Sequence, residues 1–205
     1  NSSLRFELNR VESMVGVSLR YAFTPLTSVS LKATSAQDRF QFSSLRDATS
    51  RGVAASVTFD PLGVISGSAT FGYVDFKPAT PELRRFKSPT ASVNLSTRFF
   101  SGTRIGVSAI RDVAYSYETT QPYYVQTGVG GSIVRSLVGP VDVSANGDIR
   151  HLDYQDRVDV AAAVSNRVDI VRTFGGGVGY RVGSGARLGF YVDRAHRNSG
   201  LLRRE

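Results

Sequence analysis

Apolar and polar residues alternate along most of this 205-residue chain, and the alternation predicts β-strands. In residues 13–24, for example, Val15, Val17 and Leu19 share one face, while small or polar residues such as Ser18 lie on the other. Successive side chains of a strand point to opposite faces of the sheet, so a period of two residues is the expected signature. The pattern predicts eleven strands, at 3–10, 13–24, 27–35, 49–59, 64–75, 89–100, 103–115, 123–138, 141–151, 169–182 and 186–197.

Five short turns recur at intervals of 36 to 44 residues along the chain. They lie at 24–27, 60–63, 101–103, 139–140 and 183–185. Between successive short turns lies a longer stretch that is rich in charged and aromatic residues. The chain is therefore predicted to form a row of hairpins with short turns at one end and long loops at the other, which is typical of outer-membrane β-barrels.

The predicted strands are long, since soluble sheets most often have strands of about 5–6 residues. The face opposite the apolar one mixes Gly, Ser, Asn, Asp and Arg, as expected for a water-filled lumen. We therefore predict an all-β protein, an antiparallel transmembrane β-barrel. A soluble β-sheet or a β-solenoid is the alternative fold.

Eleven strands cannot close a barrel with simple up-and-down hairpins, so further strands are expected. The sequence starts without Met or a signal peptide and ends within a polar stretch. We expect residues 1–205 to be a single outer-membrane barrel domain that lacks its N-terminal part and its closing strand or strands. The whole barrel is expected to have about 12 to 18 strands.

Aromatic residues concentrate near the predicted strand ends, where a barrel meets the membrane interfaces. Near the short turns these are Tyr21, Phe23, Phe59, Phe99, Phe100 and Tyr180. Near the long loops they are Phe71, Tyr73, Phe76, Tyr115, Tyr117, Tyr123 and Tyr124. The distribution predicts two aromatic girdles.

Composition narrows the possible chemistry. No run approaches the ~18–20 apolar residues that a membrane-spanning helix needs. The chain has no Cys, which removes disulfides, thiolate metal sites and Cys nucleophiles. No group of His, Asp and Glu has the spacing of metal ligands, so neither a metal nor another cofactor is predicted.

The sequence does not predict an enzyme, and no catalytic residue is assigned. The glycine-rich run 175–179 lacks the following helix and the Lys of a nucleotide-binding loop. Turn 183–185 is not a nucleophile elbow, because it does not lead into a helix. An outer-membrane lipase or protease is an open alternative, and it would need a hydroxyl group paired with His151 or His196.

The net charge of +8 raises the question of an anionic partner. Nucleic acid is not predicted, because the basic residues are spread over many strands rather than gathered on one helix or arm. Six basic residues share the polar face and lie within about five residues of a short turn: Arg20, Lys32, Arg98, Arg104, Arg181 and Arg187.

We predict that these six residues line the periplasmic mouth of the pore as a basic belt that attracts anions. Alternatively, the basic side chains pair with carboxylates on the same face. The acidic candidates are Glu7, Asp142, Asp148 and Asp193, and only Asp142 lies close to a short turn.

Three segments resemble the outer-membrane β-barrel porins of Gram-negative bacteria: 19–28, 111–118 together with 122–124, and 190–194. The family is often associated with exopolysaccharide or capsule export. The resemblance implies a barrel and a conduit in the bacterial outer membrane, and no catalytic signature comes with it.

The leading expectation is a passive conduit for a polar, anionic solute or exopolysaccharide. Expected partners are outer-membrane lipid, lipopolysaccharide and a periplasmic export protein. The alternative is a non-conducting scaffold barrel that organises an envelope complex.

Overall fold

The computed structural model describes residues 9–81, 83, 85–100, 102–118, 120–137, 139–155, 167–183 and 185–200. Within them, ten antiparallel strands form one sheet in chain order. They are β1 (Arg10–Thr24), β2 (Thr27–Phe40), β3 (Ala48–Phe59), β4 (Ile65–Pro78), β5 (Phe86–Phe99), β6 (Thr103–Tyr115), β7 (Tyr123–Ser136), β8 (Val141–Gln155), β9 (Val168–Val182) and β10 (Ala186–Ser199). One turn of 3-10 helix, Ser44–Arg46, lies between β2 and β3. None of the helical structure in this part of the chain has the length and apolar character needed to cross a membrane.

These ten strands confirm ten of the eleven predicted segments, and several extend further toward the long loops. For example, β2 runs to Phe40 although the alternation ends near residue 35. The backbone pairing of β1 and β2 continues beyond that point, with Glu12 opposite Asp38. Charged residues such as Asp38 and Arg39 interrupt the alternation on both faces there, so hydrophobicity alone no longer marks the strand.

The sequence predicted a break at residues 11–12, between the segments 3–10 and 13–24, and this prediction is wrong. Arg10, Val11 and Glu12 continue β1 and pair in register with β2. Residues 1–8 of the predicted first strand lie outside the described residues.

The strand register divides the sheet into an apolar face and a polar face. On the apolar face, Leu19, Leu31, Ala55 and Phe71 follow one another across β1 to β4. Leu19 is 70% exposed and Phe71 is 61% exposed, as is typical of a surface that meets lipid rather than water. On the polar face, small hydroxyl residues form corresponding rows, and the Ser56 and Thr70 hydroxyls are hydrogen-bonded at 2.9 Å.

The sheet is curled with its polar face inward. The Tyr115 hydroxyl of β6 donates a 2.7 Å hydrogen bond to Asp38 Oδ2 of β2. These strands are four positions apart, which corresponds to about 19 Å in a flat sheet. Within the described residues, β1 and β10 each pair with one neighbour, so this part of the sheet is a curved wall that is not closed.

The buried core lies on the concave side, at the long-loop end. We call it the loop-end cluster, and it contains Phe40, Ala48, Phe76, Leu83, Tyr115 and Tyr123. The rings of Phe40 and Tyr115 pack edge to face, with centroids 4.8 Å apart. The girdle prediction was therefore wrong for Phe76, Tyr115 and Tyr123, which pack into the concave side rather than facing lipid.

Arg46 joins two long loops above this cluster. Its Nε donates to the Ser116 carbonyl at 3.0 Å, and its Nη2 donates to the Tyr117 carbonyl at 2.8 Å. The residue is only 2% exposed, and its Nη1 also donates to Ser43 Oγ at 2.6 Å, so hydrogen bonds within the protein replace contacts with water. The loop between β2 and β3 is thereby held against the loop between β6 and β7.

Candidate functional site

The six basic residues predicted from the sequence all lie on the polar face, near the short turns. The register pairs Arg20 with Ser30 and Lys32 with Ser18, on the same face as the hydroxyl rows. Arg98 stands directly opposite Arg104, and Arg181 stands directly opposite Arg187. All six residues are exposed. Their surroundings differ, and the differences decide what each guanidinium can do.

Arg98 and Arg104 form a pair of like charges. They face each other across β5 and β6. Among the described residues, neither side chain has a carboxylate within ion-pairing distance. Like charges directly opposite each other destabilise a sheet. The arrangement therefore holds two guanidiniums that are free to bind an anion.

Arg181 reaches toward the same place from β9. Its Nη2 donates to Ser136 Oγ of β7 at 3.0 Å, so the side chain crosses over β8. A cavity of about 470 Å³ is lined by Arg98, Phe100, Gly102, Thr103, Arg104, Val134, Ser136 and Arg181. We call this space the arginine cavity. Its lining carries three positive charges and no carboxylate.

Arg187 is different, because a carboxylate neutralises it. Its Nε lies 3.0 Å from Asp142 Oδ2, and its Nη2 donates to Asp142 Oδ1. The Tyr191 hydroxyl contacts Nη1 of the same guanidinium. Asp142 is 2% exposed, so this pair is shielded from water on the carboxylate side. The expectation that basic residues pair with carboxylates therefore describes Arg187 well.

The other basic residues of the belt have weaker contacts. Arg181 Nε lies 3.9 Å from Asp142 Oδ2, at the limit of an ion pair. Arg20 Nε donates to Ser28 Oγ at 3.2 Å. Neither contact removes the positive charge from the polar face.

The glycines of β9 make room for side chains of β10. On the polar face, Gly179 lies beneath the Arg187 guanidinium and Gly177 lies beneath the Tyr191 ring. A Cβ at either glycine would occupy space that the neighbouring side chain fills. The glycine run therefore serves close packing within a strand, as glycines in strands commonly do.

A second cavity, of about 270 Å³, lies nearer the middle of the polar face. Its polar lining includes Asn94, Ser108, Ser132, Asn146 and Asp148. Asp148 accepts a 2.7 Å hydrogen bond from Arg150 Nε, so its charge is compensated. The centre of the face thus offers small hydroxyl and amide groups rather than net charge.

A separate charged cluster lies at the long-loop end of β8 to β10. Asp169 is fully buried and accepts hydrogen bonds from Arg167, Arg197 and Ser199. The hydrogen bond that Arg167 donates to Asp169 raises the pKa of the guanidinium above its ordinary value. Asp169 of β9 also accepts from Arg197 and Ser199 of β10, so the cluster ties the two strands together.

Within the described residues, neither histidine forms a hydroxyl–histidine pair. His151 stands opposite Thr127 and Ile170, and His196 stands opposite Arg172. Both imidazoles are exposed. In the described part of the chain, neither ring hydrogen-bonds a hydroxyl side chain that it could activate.

Sequence reasoning missed Arg46, Asp38 and the inward position of Tyr115. The contacts of Arg46 join residues 70 and 71 positions apart, and the Tyr115–Asp38 bond spans 77 positions. No local pattern marks such contacts. The one available signal was the unusual density of aromatic residues in 115–124.

Comparison with known families agrees with this architecture. A family model described as "Putative beta-barrel porin 2" matches residues 7–202, which include all ten strands. No curated protein shows significant similarity to the chain.

Proposed function

The chain belongs to this β-barrel porin family, and on that basis we propose that it forms a passive conduit for polar, anionic solutes or exopolysaccharide across the bacterial outer membrane. The observation that carries the anionic preference is the arginine cavity, with Arg98 and Arg104 opposed on the concave face. Rings of Arg or Lys in a pore attract anions and repel cations.

In the proposed mechanism, the basic belt acts at the short-turn end, which is periplasmic in barrels of this type. Arg20, Lys32, Arg98, Arg104 and Arg181 raise the local concentration of anions at the mouth. Arg187 contributes little positive charge, because Asp142 compensates it. The belt thus lowers the entry barrier for an anion.

Beyond the mouth, the proposed route follows the small polar side chains at the centre of the concave face. Ser108, Ser132 and Asn146 present hydroxyl and amide groups in the second cavity. Such groups exchange hydrogen bonds with water and with sugar hydroxyls without holding either tightly. Diffusion, or pushing by a periplasmic export partner, then moves the solute along.

The apolar face is proposed to contact outer-membrane lipid, and the charged long loops to contact lipopolysaccharide. Phe174, Val178 and Phe190 are among the large side chains exposed on that face. A closed barrel pairs every backbone group within the protein, as a hydrocarbon environment requires.

The test is single-channel recording of the full-length protein in a planar bilayer, with the reversal potential measured under a potassium chloride gradient. We expect a steady current that is selective for chloride. Replacing Arg98 and Arg104 together by Gln should shift the reversal potential toward that of potassium. Selectivity for potassium in the unaltered protein would contradict the proposal.

The loop-end cluster favours a second candidate, a scaffold barrel that does not conduct. Phe40 of β2 and Tyr115 of β6 meet over the concave face and fill space there. No current from protein that is correctly folded and inserted would favour this alternative.

A further inference from the structure

We infer that the arginine cavity is a discrete binding site for a phosphate group carried on a small, soluble organic ligand such as a sugar phosphate. This inference deepens the proposed conduit function and rests on it only for the route by which the ligand arrives. A belt that merely steers anions needs no defined site, whereas the structure gathers three guanidiniums around one space.

The first argument is charge. Arg98, Arg104 and Arg181 line the cavity. Asp142 lies 3.9 Å from Arg181 Nε, but its main partner is Arg187, whose Nε is 3.0 Å away. Holding Arg98 opposite Arg104 is unfavourable unless an anion lies between them. A multiply charged group offsets this repulsion better than chloride does, because it can contact more than one guanidinium.

The second argument is hydrogen-bonding geometry. A guanidinium presents a planar fork of donors that matches two oxygens of a phosphate, and Arg is used widely for such recognition. The Arg181 guanidinium is already held at the cavity, because its Nη2 donates to Ser136 Oγ at 3.0 Å and both residues line the cavity.

The third argument is size and the nature of one wall. The cavity of about 470 Å³ falls within the range of about 300–1,000 Å³ that is usual for sites of small organic ligands. Phe100 forms part of the wall and is 82% exposed, with a left-handed backbone φ of 50°. An exposed ring beside three guanidiniums suits the apolar face of an organic group that bears the phosphate.

The position of the cavity favours a soluble ligand over a lipid headgroup. Arg98 and Arg104 belong to the polar, concave face, and the large apolar side chains of the same strands point to the other side. A phospholipid in the surrounding bilayer meets that other side.

The test is isothermal titration of the full-length protein, folded in a neutral detergent, with inorganic phosphate, glucose 6-phosphate and glucose. We expect saturable binding of glucose 6-phosphate with about one ligand per chain, weaker binding of inorganic phosphate, and no binding of glucose. The double variant Arg98→Gln, Arg104→Gln should weaken the affinity by about tenfold or more for each lost charge-assisted contact.

The matched control is the double variant Arg135→Gln, Arg194→Gln. It also removes two positive charges, but from the opposite face, where Arg135 stands opposite Val143 and Arg194 stands opposite Phe174. Unchanged affinity in this control would show that the site, rather than net charge, binds the ligand. An equal loss of affinity in both double variants would overturn the proposal.

Two further results would also overturn it. One is the absence of saturable glucose 6-phosphate binding in protein whose β-structure is confirmed by circular dichroism. The other is displacement of glucose 6-phosphate by phosphatidylglycerol micelles at the same concentration of phosphate groups, which would assign the cavity to a lipid headgroup. The titration and the current recordings are independent measurements. Anion-selective current without ligand binding would contradict the binding site and support the conduit. Ligand binding without current would support the binding site and contradict the conduit.

Discussion

Arg187 of β10 crosses over Gly179 of β9 and pairs with Asp142 of β8. The contact joins three strands through one guanidinium, which lies flat against the wall because position 179 has no side chain. Asp142 also lies 3.9 Å from Arg181 Nε, so this carboxylate influences two of the six belt residues.

The substitution Gly179→Ala should destabilise the barrel. A Cβ at this position would displace the Arg187 guanidinium and leave the shielded Asp142 carboxylate without its main partner. We expect the free energy of unfolding to fall by about 1–3 kcal/mol, the usual cost of leaving a buried polar group unsatisfied. Urea unfolding in detergent micelles would measure it. The control is Gly185→Ala, where a Cβ would meet nothing within 4 Å. Equal losses at the two positions would refute the packing role of Gly179.

The substitution Asp142→Asn should increase selectivity for anions. It removes the carboxylate that compensates Arg187 and lies near Arg181, so the concave face gains one positive charge. The reversal potential under a potassium chloride gradient should move toward that of chloride. Asp60→Asn is the control, because residue 60 lies in the short turn and its Oδ1 accepts from the Leu62 N–H, which an amide oxygen can also do. A shift toward potassium in Asp142→Asn would be inconsistent with the charge argument.

The substitution Arg46→Met should loosen the long loops. It removes the hydrogen bonds to the Ser116 and Tyr117 carbonyls and keeps much of the side-chain volume. We expect faster cleavage by chymotrypsin after Phe42, a 64%-exposed residue beside the loop's helical turn. The conductance should also rise if the loops narrow the opening. Arg39→Met is the matched control, since the Arg39 side chain is exposed and pairs with Asp47, which belongs to the loop between β2 and β3 rather than to the loop between β6 and β7. Cleavage at the parent rate in Arg46→Met would argue against the link.

The substitution Tyr115→Phe should weaken the contact between β6 and β2. It deletes the hydrogen bond to Asp38 and preserves the ring that packs on Phe40. We expect a loss of about 1 kcal/mol in the free energy of unfolding, the typical net value of one hydrogen bond. Tyr117→Phe serves for comparison, because Tyr117 is 58% exposed. If both variants unfold at the same urea concentration, the Tyr115 hydroxyl has no structural role.

Strands and faces were predictable from the sequence because they depend on neighbours two residues apart. Val15, Val17 and Leu19 reveal the apolar side of β1 without any tertiary information. The same reasoning set the six basic residues on one face. It predicted a break at 11–12 that is absent, because backbone pairing continues where the alternation of apolar and polar residues is lost.

The sequence could not predict which basic residue of the polar face would pair with Asp142. Arg98 and Arg187 look alike in the sequence, each a few residues from a short turn. The register of β8, β9 and β10 brings Asp142 beside Arg187, whereas the register of β5 and β6 places Arg98 opposite Arg104.

The positions of the aromatic residues near the long loops could not be predicted from the sequence either. A tyrosine near a strand end is equally suited to a membrane interface and to a contact across the curled sheet. Tyr115 takes the second position only because the sheet curls enough to bring β2 and β6 together, and curvature is a property of the whole sheet rather than of any segment.

The curl has a further consequence for any molecule that travels along the concave face. Arg98 and Arg104 lie at the short-turn end, and the loop-end cluster lies at the other end. A molecule that enters from the short turns therefore meets the positive charges first and the narrowing by aromatic side chains last. In a conduit of this design, discrimination by charge and discrimination by size depend on different residues at opposite ends. Each could therefore change under mutation or selection while the other stays as it is.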